Sequence, residues 1–230
     1  WGLDILRSYV AGYLREEIQA EALTKDVAAY SRFLNLAAEL SGQYTNYAKV
    51  ASDAQIKKDT IRRYMEILSD TLLVEFVPSY TDVDSARRVR QKDKFIFFDM
   101  GVRNALLGRT TQFSKEEWGQ LFEQWLILQT IYYNRMFQKN WRIRSYRDAM
   151  GVEVDLIIET RLRILAVEIK SATIAHPRMF KSLAKFGDIS GRQVEKFVVY
   201  QGEHLQDFES LGKAIPYRRF LEELLPDLDA

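Results

Sequence analysis

The sequence predicts a mixed α+β (or α/β) protein in two parts, a helical half followed by a mixed sheet flanked by helices. Three observations predict it. Apolar residues recur at helical spacing through 3–22, 27–40 and 58–70. Beyond residue 140 they fall instead into short strand-like runs with polar turns between them. Gly108-Arg109-Thr110-Thr111 separates the two patterns and shows neither period.

In the first half, Leu3, Leu6, Val10, Tyr13, Leu14 and Ile18 define a helical segment over 3–22. Val27 to Leu40 is the next, stopped by Ser41-Gly42, where the glycine suits a left-handed cap. A short helix over 47–52, a turn at 52–55 and a longer helix over 58–70 follow. Ile61, Tyr64, Met65 and Leu68 share one face of the longer helix, so the pair reads as a helix-turn-helix. Strand-like runs at 72–80 and 94–99 flank a charged loop, completing the pattern of a winged helix. In the second half a helix over 115–137 precedes strands at 141–147, 152–158 and 163–171. A helix over 177–186, a strand over 196–200, a short strand near Ile215 and a helix over 219–225 complete the chain. The domain division is 1–26 as a helical linker, 27–108 as the winged helix and 109–230 as the sheet domain.

The chain has 230 residues, 47% hydrophobic and 28% charged, enough for one large core or two modest ones and too apolar for disorder. A net charge of +1 predicts no polyanion partner by itself, so any basic surface must come from local clustering. The absence of cysteine excludes disulfides, thiolate metal sites and a cysteine nucleophile, and fits a reducing compartment. No apolar run approaches the roughly 18 to 20 residues needed to span a bilayer. The expectation is a cytoplasmic protein without a membrane partner. Trp1-Gly2-Leu3-Asp4 carries no initiator Met and no signal-type stretch, and reads as the continuation of a longer chain.

The chemistry concentrates on two strands. Strict alternation along 152–158 puts Val152, Val154, Leu156 and Ile158 on one face and Glu153, Asp155 and Ile157 on the other. Along 164–170, Glu168 and Lys170 share a face with Ile164 and Ala166. If the strands are neighbours, two carboxylates and an ammonium converge. Carboxylates held close repel each other, and burial desolvates them. A divalent cation relieves both effects, and Mg²⁺ or Mn²⁺ suits hard oxygen ligands. Asp155 and Glu168 are the candidate ligands, with the Ile169 carbonyl between them and Glu123 of the preceding helix as a further carboxylate. Lys170 is placed to orient or deprotonate an attacking water and to neutralise charge on a phosphate. The competing reading is a surface Glu168–Lys170 pair, worth under about 1 kcal/mol.

The segments Gly119-Gln120-Leu121-Phe122-Glu123, Gly151-Val152-Glu153-Val154-Asp155 and Glu168-Ile169-Lys170-Ser171 together resemble the PD-(D/E)XK nuclease superfamily. They particularly resemble the carboxyl-terminal domain of unknown function of bacterial and archaeal AAA-type ATPases. Tyr13-Leu14-Arg15-Glu16-Glu17-Ile18 is similar to the segment leaving the ATPase module there, although Glu17 stands where Asp is expected. Residues 59–68 resemble that family's winged-helix recognition segment, and 94–101 its hairpin exit. The resemblance spans nearly the whole chain. It implies a restriction-endonuclease-like fold, phosphodiester hydrolysis on DNA and an ATPase module in cis upstream of Trp1, with oligomerisation through that module. These residues contain no Gly-x-x-x-x-Gly-Lys-Ser/Thr, so they encode no such ATPase activity. Two rival readings are a catalytically silent nucleic-acid- or protein-binding regulator of the ATPase, and a purely structural assembly module.

Three basic groups are candidate nucleic-acid contacts. Lys57, Lys58, Arg62 and Arg63 open the second helix of the helix-turn-helix. Arg87, Arg88 and Arg90 lie in 86–94, which holds five positive and one negative residue, net +4. Arg142 and Arg144 share a strand face with Tyr146. A solvated surface is the alternative for each. Trp118, Phe122 and Trp125 are expected to pack the core beneath Glu123, and His176 and His204 to be loop residues.

Overall fold

The computed structural model describes residues 2–13, 26–80, 93–109 and 112–229. The charged loop with Arg87, Arg88 and Arg90, and most of the segment from Tyr13 to Ile18, lie outside the described residues. The protein has the predicted α+β class and divides into two compact units: 1–76 with 94–114, and 77–93 with 115–230. Among the described residues, no helix is long and apolar enough to cross a membrane.

The first unit contains α1 (Gly2–Ser8), continued by a π-helical turn at Tyr9–Tyr13, then α2 (Val27–Leu40), α3 (Tyr47–Ala54) and α4 (Lys58–Asp70). Two short strands, β1 (Val74–Val77) and β2 (Lys94–Phe97), pair with each other, and α5 (Met100–Leu106) follows. Side-chain caps set the helix starts: Asp26 accepts from Ala29 N at 2.8 Å, and Asp99 from Val102 N at 2.8 Å. The turn between α3 and α4 is made by Gln55, which adopts the left-handed conformation (φ 56°, ψ 43°). The amphipathic face of α4 buries Ile61, Tyr64, Met65, Ile67 and Leu68. Tyr64 meets Tyr30 edge-on at 4.9 Å between ring centroids and Phe33 at 5.3 Å, joining α2 to α4. The helix α5 was not foreseen from the sequence, which placed only a hairpin exit there.

The second unit is built on α6 (Lys115–Met136) and a six-stranded sheet. Its strands are β3 (Arg142–Arg147), β4 (Glu153–Glu159), β5 (Ile164–Lys170), β6 (Glu195–Tyr200), β7 (Gln206–Asp207) and β8 (Lys213–Pro216), in the order β3-β4-β5-β6-β8-β7. β3, β4 and β5 are antiparallel neighbours, β5, β6 and β8 run parallel, and β7 is antiparallel to β8. The parallel crossover from β5 to β6 carries a 3₁₀ turn (Pro177–Phe180) and α7 (Lys181–Ser190). A short helix, α8 (Tyr217–Arg219), continues as a π-helical turn to Leu224. Phe180, Leu183 and Phe186 bury against Val154, Ala166 and Val198 of the sheet.

Three sequence expectations change here. Trp118 is 49% exposed, whereas Phe122 is buried. Phe122 and Trp125 pack instead with Tyr217, at centroid distances of 5.7 and 5.8 Å. Strict alternation along β4 also fails, because Val152, Val154 and Ile157 lie in one buried cluster. The cause is a register shift against β3: Arg144 pairs with Ile157 but Tyr146 with Val154, so Ser145 alone faces both Asp155 and Leu156. That is a β-bulge in β4. Finally, Val77–Tyr80 group with the sheet unit, because Ser79 forms a parallel bridge to Ser145.

Candidate active site

The site lies where β4 begins and β5 ends. Antiparallel pairing matches Leu156 with Val167 and Ile157 with Ala166, and beyond that paired stretch the Asp155 side chain reaches β5 at the Ile169 amide, next to Glu168. On the other side of β5, Glu168 pairs with Val198 and Lys170 with Tyr200. The start of α6 is close by. A Cβ on Gly119 would stand 3.4 Å from Ser171 Oγ, and Glu123 follows one helical turn later. Gly202, just past β6, is under tighter constraint: a Cβ there would overlap the Tyr200 ring and come within 2.6 Å of the Thr173 carbonyl oxygen.

Asp155 is buried at 7% exposure, and its Oδ2 accepts a 2.8 Å hydrogen bond from Ile169 N. The Ile169 amide thus meets the acid. Glu168 Oε1 and Lys170 Nζ are 2.5 Å apart, with side chains 12% and 39% exposed. Glu168 Oε2 is buried and has no hydrogen-bond partner. Burial, then the Asp155 charge, pushes the Glu168 carboxyl up to about 8 against the opposing pull of Lys170, and Glu123 adds to the rise. Burial works against the charge on Lys170, but Asp155, Glu168 and Glu123 outweigh it and hold its pKa above the usual lysine value. Lys170 is thus an ammonium, fitted to donate hydrogen bonds and to stabilise negative charge rather than to take a proton.

Asp155, Glu168, Lys170 and Glu123 therefore share one electrostatic neighbourhood, as their mutual influence on Glu168 and Lys170 requires. Among the described residues no group of three or more His, Asp or Glu side chains is gathered so as to hold a metal ion. The physical reason lies in the contacts above: Lys170 closes one side of Glu168, and Asp155 turns to the backbone of Ile169. The donor chemistry still fits a hard divalent cation. It offers two carboxylates on neighbouring strands, and one of their oxygens is buried and unsatisfied. Glu153 stands apart from them in an edge ion pair with Arg147 at 3.9 Å.

The candidate nucleic-acid contacts separate. Lys57, Lys58, Arg62 and Arg63 are all exposed on α4 and its cap, with Arg62 near Asp59 at 3.7 Å. Arg142 is exposed. Arg144 is not available in the way expected: it pairs with Glu159 at 3.3 Å and lies over the Tyr80 ring at 5.9 Å. Tyr146 is buried against Phe186. His204 is a loop residue whose carbonyl accepts from Tyr200 OH at 2.5 Å, and Gln201 N donates to Ala172 O at 2.9 Å.

With its α+β architecture and acidic site defined, the chain can be set beside known proteins. Residues 2–112 match the model of one domain of unknown function (DUF8612), and residues 118–220 match that of another (DUF4143). Two curated relatives are 24% identical over 216 residues: uncharacterized protein Rv2008c of Mycobacterium tuberculosis and uncharacterized protein Mb2031c of Mycobacterium bovis. That alignment covers 93% of this chain and 47% of each relative, so the chain spans about half the length of the curated proteins it matches.

Proposed function

We propose that the second unit is a divalent-metal-dependent nuclease of the PD-(D/E)XK type acting on DNA, and that the chain is the carboxyl-terminal part of an AAA-type ATP-binding protein. One observation carries the nuclease reading. Glu168 is a largely buried acid beside Asp155 and Lys170, and its buried second oxygen has no hydrogen-bond partner. Leaving a buried carboxylate oxygen unsatisfied costs stability, and one set beside a second acid suits a bound cation. Asp155 and Glu168 would hold Mg²⁺ or Mn²⁺, with Glu123 as the outer carboxylate. A bound divalent cation supplies Lewis-acid activation of water and neutralises phosphate charge. Lys170 donates to the phosphate oxygen on which charge accumulates. The Ile169 amide keeps Asp155 oriented.

Support for the ATPase assignment is the resemblance over the first half and the length of the relatives, which are about twice as long as the matched region. The first unit is read as a winged helix whose exposed Lys57, Lys58, Arg62 and Arg63 contact DNA phosphates. A second reading also has an observation behind it. The closed Lys170–Glu168 pair and the missing three-acid cluster among the described residues favour a silent DNA- or protein-binding regulator.

Plasmid, linear and branched DNA incubated with the purified chain in Mn²⁺ separates the two. The nuclease reading expects cleavage that falls about 10²- to 10³-fold in Lys170→Ala and Asp155→Ala. DNA that is bound but never cut assigns the chain to the silent class.

A further inference from the structure

Asp155 is not placed by β4 alone. The residue opposite its bulge is Ser145, which is fully buried in β3. Bulges beside active sites re-aim a side chain, and a slip of one residue returns it to the other face, so something must hold the register. Both backbone polar groups of Ser145 are occupied from the edge away from β4. Tyr80 N donates to Ser145 O at 2.7 Å, and Ser145 N donates to Pro78 O at 3.0 Å. The short segment that provides these bonds is itself anchored. Ser79 N donates to Asp93 Oδ1 at 3.1 Å, and the Tyr80 ring meets Phe186 edge-on at 5.2 Å. Arg144, the neighbour of Ser145, lies over the same ring.

We propose that Pro78–Tyr80 is a positioning strap that locks the β4 bulge and so holds Asp155 on the Ile169 amide, beside Glu168. Ser145 and Tyr80 act through Asp155 and are positioning residues. The significance of the strap for catalysis rests on the nuclease reading above, whereas the Asp155–Ile169 hydrogen bond it fixes is observable without any activity.

The test reads amide hydrogen exchange at Ile169 in the full chain. Ser145→Pro removes the N–H that Pro78 accepts and leaves the β3–β4 ladder bonds intact, because the N–H and C=O of Ser145 both point to the strap. Tyr80→Ala strips the aromatic anchor, and Tyr80→Phe keeps it. The expected result is Ile169 exchange faster by about tenfold or more in Ser145→Pro and Tyr80→Ala, wild-type exchange in Tyr80→Phe, and unchanged protection at Phe197 and Val199 of β6. Wild-type protection of Ile169 in both disruptive variants overturns the proposal. So does an equal acceleration at Phe197 and Val199, which would make the segment general support for the sheet. Cleavage measured in parallel keeps the two ideas apart. A wild-type chain that cuts no DNA removes the nuclease reading while Ile169 still decides the strap. With an active wild type, kcat falls in the two disruptive variants and KM stays.

Discussion

Arg103, buried, and Glu168, largely so, are charged residues held in different ways, one in each unit. Arg103 is 6% exposed and donates through Nε to the Ala38 carbonyl at 3.0 Å and through Nη1 to Asn104 at 3.0 Å. Lys94 of the same unit is also buried, with its ammonium 5.0 Å from the centre of the Tyr44 ring. These charges are met by fixed partners of the fold. Glu168 has one oxygen on Lys170 and the other on nothing, while two like charges push on it. Largely buried charge is common to both units; among the described residues, buried carboxylate oxygens without a hydrogen-bond partner belong to the second. That difference, rather than burial itself, points to the sheet as the place of chemistry.

The comparison breaks most readily with added metal. Saturating Mn²⁺, at about 100 times its Kd, should stabilise the folded chain by about 2.7 kcal/mol. For a protein of this size that raises Tm by roughly 5–10 °C. The shift should be larger at pH 8.5 than at pH 5, because the Glu168 carboxyl, pushed up to about 8, must lose its proton to bind. Asp155→Asn should remove it. A wild-type Tm that ignores Mn²⁺ at pH 8.5 would put Glu168 in the same class as Arg103.

A smaller effect concerns the acid alone. The folded-state pKa of Glu168 lies above the ordinary glutamate value, so the folded chain keeps a proton that the unfolded chain releases. Stability from this group therefore falls as pH rises from the ordinary glutamate range to about 8. Relative to Glu168→Gln, the wild type should lose stability steadily between pH 5 and pH 8 in urea titrations. Parallel pH profiles for the two chains would show that the acid is not strained.

The smallest effect belongs to the first unit. Lys58→Ala with Arg62→Ala should change stability by no more than about 0.5 kcal/mol, since both side chains are exposed. DNA binding should weaken evenly across sequences, with the salt slope reduced by about one per lost phosphate contact. Unchanged binding would make α4 a protein-docking face and sharpen the division between the units.

Much of this was legible in the residues. The helices at α2 and α4 follow their apolar periods to the residue, and the strands of the second unit fall within one or two residues of the expected runs. Glu168 and Lys170 could be paired by alternation because β5 is regular. For Asp155 the alternation expected along 152–158 fails at the bulge. Its bulge depends on Ser145 being held by Pro78 and Tyr80, more than sixty residues earlier, and no local pattern carries that information. The exposure of Trp118 escaped for a related reason: Phe122 and Trp125 find Tyr217, a residue near the far end of the chain. β7 is two residues long, too short for any period. The missed helix α5 did have a signal, since Asp99 is a ready N-cap, but the apolar run before it reads as a strand continuing.

Gly202 gives the site a vulnerability that lies outside the charged groups. Any methyl added there runs into the Tyr200 ring, and Tyr200 is the β6 partner of Lys170. The ring has little room to retreat, being 1% exposed with its hydroxyl tied to the His204 carbonyl. Even alanine at this position would transmit its bulk sideways, strand to strand, toward the lysine. The smallest residue in the alphabet is thus what keeps the most demanding corner of the sheet in register.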